Sequence, residues 1–309
     1  MRPAVYIPNF NGAAHLPRAL ESLRGQSRPV DVVVVDNGSR DGSPQLLRER
    51  FPEVALLELG RNIGFGPALN RAVAEHPADP VILLNNDAEA EPRFVEALLD
   101  GLDERAQSVA GVLTQERDPA LIDSAGVVAD ATLMGFDYLH GEPLAAALGG
   151  GAPLGPTGGA ALYRHAAFEA VGGFDERIFL YYEDLDLALR LAAAGGRCRL
   201  AGEARALHAY SASLGARSGD KFARTGWSRG YMLRRYGVMS QPRLALRALA
   251  TEGALCAGQL LLDRSGKGIG GRMRGWRAGG GLPRRLPGAA PLLDLSAREA
   301  LALRRRRRG

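Results

Sequence analysis

With 309 residues, 46% of them apolar and 24% charged, the chain has the makings of a folded globular protein with a sizeable core, and is neither disordered nor collagen-like. Two cysteines, Cys198 and Cys256, are too few for a disulfide framework or a zinc cluster and point to a reducing compartment. The net charge of +5 hides a polarised chain: residues 1–203 hold 17 basic and 29 acidic side chains, and residues 204–309 hold 22 and 5. No run approaches the roughly 18 apolar residues of a membrane span. The N-terminus passes straight into a strand-like segment with no room for a signal peptide, so a cytoplasmic location is expected.

The first hundred residues alternate between strand and helix signals. Ala4–Ile7 reads as a short strand, followed by a helix with Leu16, Leu20 and Leu23 on one face. Val32–Val35 is a continuous β-branched run, as in a strand buried on both faces of a parallel sheet. Ser43-Pro44 starts a second helix with a cap and a first-turn proline. Residues 54–59 predict a third strand, Phe65–Glu75 a helix, Val81–Leu84 a fourth strand, Pro92 the opening of another helix and Val109–Leu113 a fifth strand. Such alternation with short connections predicts right-handed βαβ units and an α/β fold. Between Thr114 and Thr157 the pattern dissolves into Gly, Pro and Ala. Helical signals return at His165–Val171 and Glu183–Ala194, with a strand candidate at Arg197–Leu200. From about Tyr231 basic amphipathic helices are expected, ending in five arginines, Arg304 to Arg308, read as a frayed, solvated tail.

Ligands of open parallel sheets bind beyond the carboxyl ends of the strands, and here each strand end carries a polar or turn-forming cluster. The clusters are Pro8-Asn9-Phe10-Asn11-Gly12, Asp36 to Gly42, Arg61-Asn62-Ile63-Gly64 and Asn85-Asn86-Asp87. Any one of them is ordinary for a loop; their convergence on one sheet edge is the argument for a site. No G-x-G-x-x-G follows the first strand, and no H-E-x-x-H, G-x-S-x-G or C-x-x-C occurs, which removes the dinucleotide fingerprint, zinc peptidases, nucleophile-elbow hydrolases and dithiol enzymes.

In this order and spacing, together with Gly172-Gly173-Phe174-Asp175-Glu176, Tyr182-Glu183-Asp184-Leu185-Asp186 and Arg190, the clusters resemble family 2 glycosyltransferases of the GT-A fold, nearest to the bacterial rhamnosyltransferase-like subgroup, over roughly residues 3–240. The resemblance implies a Rossmann-like donor half with a mostly parallel sheet (about 1–113), an acceptor half (about 114–215) and, appended to this catalytic domain, a basic helical region over 216–309. It also implies inverting transfer of a sugar, such as rhamnose, from a nucleoside diphosphate to a hydroxyl of a glycan or lipid-linked glycan in cell-surface polysaccharide synthesis.

Carried over residue by residue, Asp36 would grip the nucleobase, with Gly38 and Ser39 in its turn; an Asx-turn is its alternative role. Pro8, Asn9 and Phe10 would line the same pocket, and Arg61 and Asn62 would reach the nucleotide or else stabilise their loop. Asn85, Asn86 and Asp87 stand where the family has its D-x-D metal motif, with Asp87 the one carboxylate left in it. Asp87 and His208 would hold Mg²⁺ or Mn²⁺ against the diphosphate, while Glu89 and Glu91 belong to the start of the next helix. Asp184 would be the general base; as an acid at a helix N-terminus it is also an ordinary dipole partner. Asp186 and Arg190 form an i, i+4 pair. Gly158-Gly159 either admits a substrate closely or packs tightly. The basic C-terminal region predicts packing on the catalytic domain plus weak attraction to an anionic membrane face, with no nucleic acid partner. Two other functions fit the same sheet: a non-catalytic nucleotide-sugar or anion-binding protein, and a sugar nucleotidyltransferase, which would need a triphosphate loop that the first strand lacks.

Overall fold

The computed structural model describes residues 2–209 and 218–281, and beyond them 283, 284, 286, 292, 293, 295, 296 and 299. The expected arginine tail lies outside the described residues. The first half runs β1 (Ala4–Asn9), α1 (Leu16–Arg24), β2 (Asp31–Asp36), α2 (Ser43–Arg50), β3 (Ala55–Glu58), α3 (Phe65–Glu75), β4 (Val81–Leu84), β5 (Ala88–Ala90) and α4 (Phe94–Asp100). There follow β6 (Ala106–Gln115), β7 (Ile122–Ser124), β8 (Val127–Ala129), β9 (Gly135–Asp137), α5 (Ala146–Gly149), β10 (Ala160–Tyr163), α6 (His165–Ala170), α7 (Glu183–Ala193) and β11 (Arg197–His208). Three further helices close the described chain: α8 (Gly219–Arg235), α9 (Pro242–Asp263) and α10 (Lys267–Ala278).

Strands β3-β2-β1-β4-β10-β6-β11-β5 form one sheet in that order, with β7 paired to β6. The β3-β2-β1-β4 block is parallel, as is β6 with β11, whereas β10 runs antiparallel between β4 and β6. The parallel block matches the sequence expectation; β10 does not appear in it. Four residues beginning with two alanines carry little β signal, and their pairing comes from neighbours about 50 and 80 positions away. Strand β11 is three times the expected length because it bends along β6 with register shifts, so that His208 lies opposite Gln115 and Ala88. Glu89 is not in a helix: it sits on the edge strand β5 and pairs with Arg18 at 2.8 Å, and α4 begins only at Phe94. Helix α8 begins at Gly219, twelve residues before the basic helices were expected.

Two apolar layers sandwich the sheet. One joins α1, α2 and α4 to the faces carrying Val5, Ile7, Val34 and Ile82; the other joins α3, α6 and α7 to Tyr6, Val33, Val35 and Leu83. Helix α7 is buried twice over. Leu187 and Leu191 enter the second layer, while Leu185, Leu189 and the half-buried Ala192 pack towards Tyr231, Met232 and Tyr236 of the C-terminal helices. That double burial holds the N-terminus of α7 against the sheet edge. Helix α10 lies along α8 at backbone contact: a Cβ on Gly230 would stand 2.0 Å from the Arg272 carbonyl oxygen.

Candidate active site

At the end of β1, Asn9 is fully buried and acts as a hub. Its amide nitrogen is 3.0 Å from Asp36 Oδ1, 2.9 Å from Ser43 Oγ and 3.2 Å from Ser39 Oγ, and its oxygen accepts the Asn86 amide at 2.9 Å. Asp36 closes an Asx-turn, accepting the Gly38 and Ser39 backbone N–H groups at 3.2 and 2.9 Å. Gly38 has φ +82°, and a Cβ there would stand 2.6 Å from the Arg61 Cα, so the second and third strand-end loops touch through their backbones. Asn37 fastens the third loop further, donating to the Gly64 carbonyl and accepting from the Ile63 N–H. Asn62 caps its own turn on the Gly64 N–H at 3.0 Å, which is the loop-stabilising role; Arg61 lies exposed at the rim. Pro8 is half-buried in β1, and Phe10 presents an exposed ring beside the hub.

Asp87 and His208 come together as the sequence implied, Nε2 to Oδ1 at 3.3 Å, with the Asn85 amide 3.5 Å from the same nitrogen. The other ring nitrogen, Nδ1, lies 2.7 Å from Asp123 Oδ2 on β7. Burial alone would lower the His208 pKa, but the hydrogen bonds and charges of Asp123 and Asp87 outweigh it and lift it to about 9. At neutral pH both ring nitrogens therefore carry protons, Nδ1–H donating to Asp123 and Nε2–H facing Asp87; a cation held at Nε2 would displace that second proton, while Asp123 orients the ring as a carboxylate orients a metal-binding imidazole. One imidazole nitrogen beside one carboxylate oxygen suits Mg²⁺ or Mn²⁺ sharing its remaining positions with phosphate oxygens and water. Among the described residues no three His, Cys, Asp or Glu side chains close a complete cage. Asp123 escaped sequence reasoning because it lies in the aperiodic 114–157 stretch. So did His140, whose Nδ1 lies 2.7 Å from the Asp123 carbonyl oxygen.

The turn before β10 connects this corner to α7. The Gly159 carbonyl accepts the Asn85 N–H at 3.2 Å, and the Gly158 N–H donates to the Asp184 carboxylate, which also accepts the Leu185 N–H at 2.7 Å. Gly158 itself is tightly packed: a Cβ there would lie 2.8 Å from the Phe65 ring. Burial raises the pKa of Asp184, and those N–H groups oppose the rise. Its neighbour Glu183 is raised to about 8, chiefly by burial and then by the Asp184 charge, and its buried Oε2 has no hydrogen-bond partner. Burial thus raises both neighbouring carboxyls, and each negative charge disfavours the other, so the corner favours holding a proton over carrying two charges. The approach to this dyad is strained, with Tyr181 and Tyr182 both left-handed at φ 70° and 73°. Further back the Phe179 carbonyl accepts the Phe65 N–H at 2.9 Å, which ties the segment to the third strand-end loop. Asp186 turns away from the cleft and is held by Arg190 at 2.8 Å, by Tyr236 at 2.8 Å and by Arg284.

Asp36, Asn9, Asn86, Asn85, the Gly158-Gly159 turn and Asp184 thus follow one another through hydrogen bonds, with two steps along the chain, from Asn86 to Asn85 and from Gly159 to Gly158. Asp87 and His208 lie at its middle.

Residues 4–172 match the model of glycosyl transferase family 2. The chain is 35% identical over 238 residues to an N-acetylglucosaminyl-diphospho-decaprenol L-rhamnosyltransferase of Mycobacterium tuberculosis, covering 69% of this chain and 77% of that protein. It is 34% identical over 201 residues to the succinoglycan biosynthesis protein ExoA of Rhizobium meliloti, covering 62% and 58%. Among solved structures it is similar to the mannosyltransferase PcManGT of Pyrobaculum calidifontis in complex with GDP-Man and Mn²⁺, with TM-score 0.53, 20% identity and 89% and 84% coverage. It is also similar to S. aureus TarS 1–349 in complex with UDP-GlcNAc, with TM-score 0.56, 16% identity and 88% and 79% coverage. At those identities the structural likeness speaks for the fold alone, which is the GT-A fold.

Proposed function

The chain belongs to glycosyl transferase family 2, and from that premise we propose that it is an inverting, metal-assisted enzyme that moves a rhamnose-type sugar from a nucleoside diphosphate to a hydroxyl of a lipid-linked glycan in cell-surface polysaccharide synthesis. The observation that carries this reading is the hydrogen-bonded succession from Asp36 to Asp184 with Asp87 and His208 at its centre. The donor's base and ribose lie along the loops after β1, β2 and β3, where Asp36, Pro8, Phe10 and Arg61 face them, with Asn62 holding the third loop in shape. Because the Asp36 carboxylate is already turned onto Gly38 and Ser39, it contributes a fixed negative rim for N–H groups of the base rather than a mobile arm.

A divalent cation bound by Asp87 and His208 supplies the positive charge that a departing diphosphate needs. Asp123 keeps the His208 ring in the tautomer that binds. Asp184 accepts the proton of the acceptor hydroxyl as that oxygen attacks the anomeric carbon, and Glu183, protonated beside it, keeps a second negative charge out of the same buried corner. One displacement with one base inverts the anomeric centre. The basic region after residue 203 is the side offered to anionic lipid, where a lipid-linked acceptor resides.

The test is a panel of nucleotide sugars, with and without a short-chain lipid diphosphate glycan, read as released nucleoside diphosphate and as product anomer. Acceptor-dependent release with one donor, loss with EDTA and an inverted product are expected. Binding without release from any donor would leave a non-catalytic sugar-nucleotide binder in its place.

A further inference from the structure

The 22-residue helix α9 reverses the usual arrangement of a surface helix. Its polar side chains face the protein: Arg247 meets Asp130 at 3.0 Å, Glu252 is held by Arg229 at 2.7 Å and Arg272 at 2.6 Å, and Thr251 and Gln259 are buried. The opposite face carries Leu246, Leu249, Leu260 and Leu261, each between 46% and 79% exposed, with only alanine and glycine between them on that face. These positions keep helical spacing from first to last, so they make one continuous stripe. Isolated exposed leucines are ordinary, but an unbroken apolar row on a helix with a charged inner face is not.

Cations border the stripe. Arg243 and Arg264 are exposed at the two ends of α9. No described helix is long and apolar enough to cross a membrane, and with Arg247 and Glu252 committed inward α9, about 33 Å long, is built to lie along an interface instead. Two copies meeting through this face would set arginine against arginine, which disfavours self-association. Anionic lipid satisfies both the leucines and the arginines.

We propose that the outer face of α9 docks in the plane of an anionic bilayer, its leucines at the headgroup–acyl boundary and Arg243 and Arg264 on lipid phosphates. The biological purpose of this contact rests on the lipid-linked acceptor reading above; the contact itself does not. The test is flotation of the full chain with vesicles of phosphatidylcholine alone or mixed with phosphatidylglycerol, at low and high salt. Flotation only with the mixed vesicles, weakened by salt, is expected, and the triple variant L246Q/L249Q/L261Q should lose about tenfold or more in vesicle affinity. That variant should keep its thermal midpoint and its transfer to a water-soluble acceptor. Absence of flotation by the wild type, equal flotation of the variant, or a wild-type dimer that the variant turns into a monomer would each overturn the proposal. Intact flotation with no transfer to any acceptor would strike the enzymatic reading alone.

Discussion

Along β1, β2 and β4 the interior is apolar and the polar groups gather where the strands end, whereas α8, α9 and α10 enclose arginines and carboxylates and turn leucines outward. In the first region the buried polar groups are mostly amides, hydroxyls and turn carboxylates whose partners all lie beside the cleft, so they set the shape of a binding edge. In the second they are ion pairs between helices. Arg229, fully buried, donates to Glu252 and to the Thr132 and Leu133 carbonyls, and so fastens α8 to both α9 and the β8–β9 turn. A buried ion pair is a weak source of net stability compared with apolar packing. Its presence here fits a surface on which the apolar side chains of α9 serve outside the fold.

Substitutions that strike one region and spare the other sharpen this contrast. The largest effect is expected at the base: Asp184→Asn should lower transfer by about 10²–10⁴-fold with donor affinity by calorimetry and the thermal midpoint both retained. Near-normal turnover in the purified variant would remove Asp184 from that role.

Next comes Glu252→Gln, which leaves Arg229 and Arg272 without their carboxylate and should cost about 3–5 kcal/mol in urea unfolding while activity per folded molecule holds. A matching pH dependence follows. Burial would raise Glu252, but the charges of Arg229 and Arg272 prevail and bring it from its usual 4.5 to about 2. Its contribution to stability is therefore complete above pH 4.5 and is lost as pH falls towards 2. The wild type should lose stability across that window more steeply than the Gln variant; parallel curves would assign the acid sensitivity elsewhere.

A smaller effect is expected at Asp123→Asn, about 10–100-fold in Mn²⁺ affinity, read by titration calorimetry or by the Mn²⁺ resonance signal with no substrate present. Unchanged affinity would make Asp123 a purely structural partner of His208 and His140. The smallest is Asn62→Ala, where loss of one turn hydrogen bond should cost about 0.5–1.5 kcal/mol and appear in the thermal midpoint. If donor affinity falls instead, Asn62 touches the nucleotide directly.

The two regions also differ in how far the sequence discloses them. The strand-end clusters are legible because a β-branched run such as Val32–Val35 announces a doubly buried parallel strand, and parallel strands put their following loops on one edge. The resemblance then linked Asp87 to His208 across more than a hundred residues, and the fold brings them to 3.3 Å. Asp123 had no such guide, since Ile122–Ser124 is three residues of strand inside an aperiodic stretch. Strand β10 was hidden by its two alanines and by pairing set entirely by distant neighbours. For α9 the helical period was visible but its polarity was not. Which side faces inward is decided by Asp130, Arg229 and Arg272, none of which lies on the helix itself.

The single hydrogen bond from the Phe65 N–H to the Phe179 carbonyl reaches further than its size. It ties the segment leading to Asp184 to the loop after β3, the loop proposed above to face the nucleotide. With the roles proposed above, occupancy of the donor side would steady the residues that meet the incoming alcohol, and by reciprocity a seated alcohol would tighten the donor.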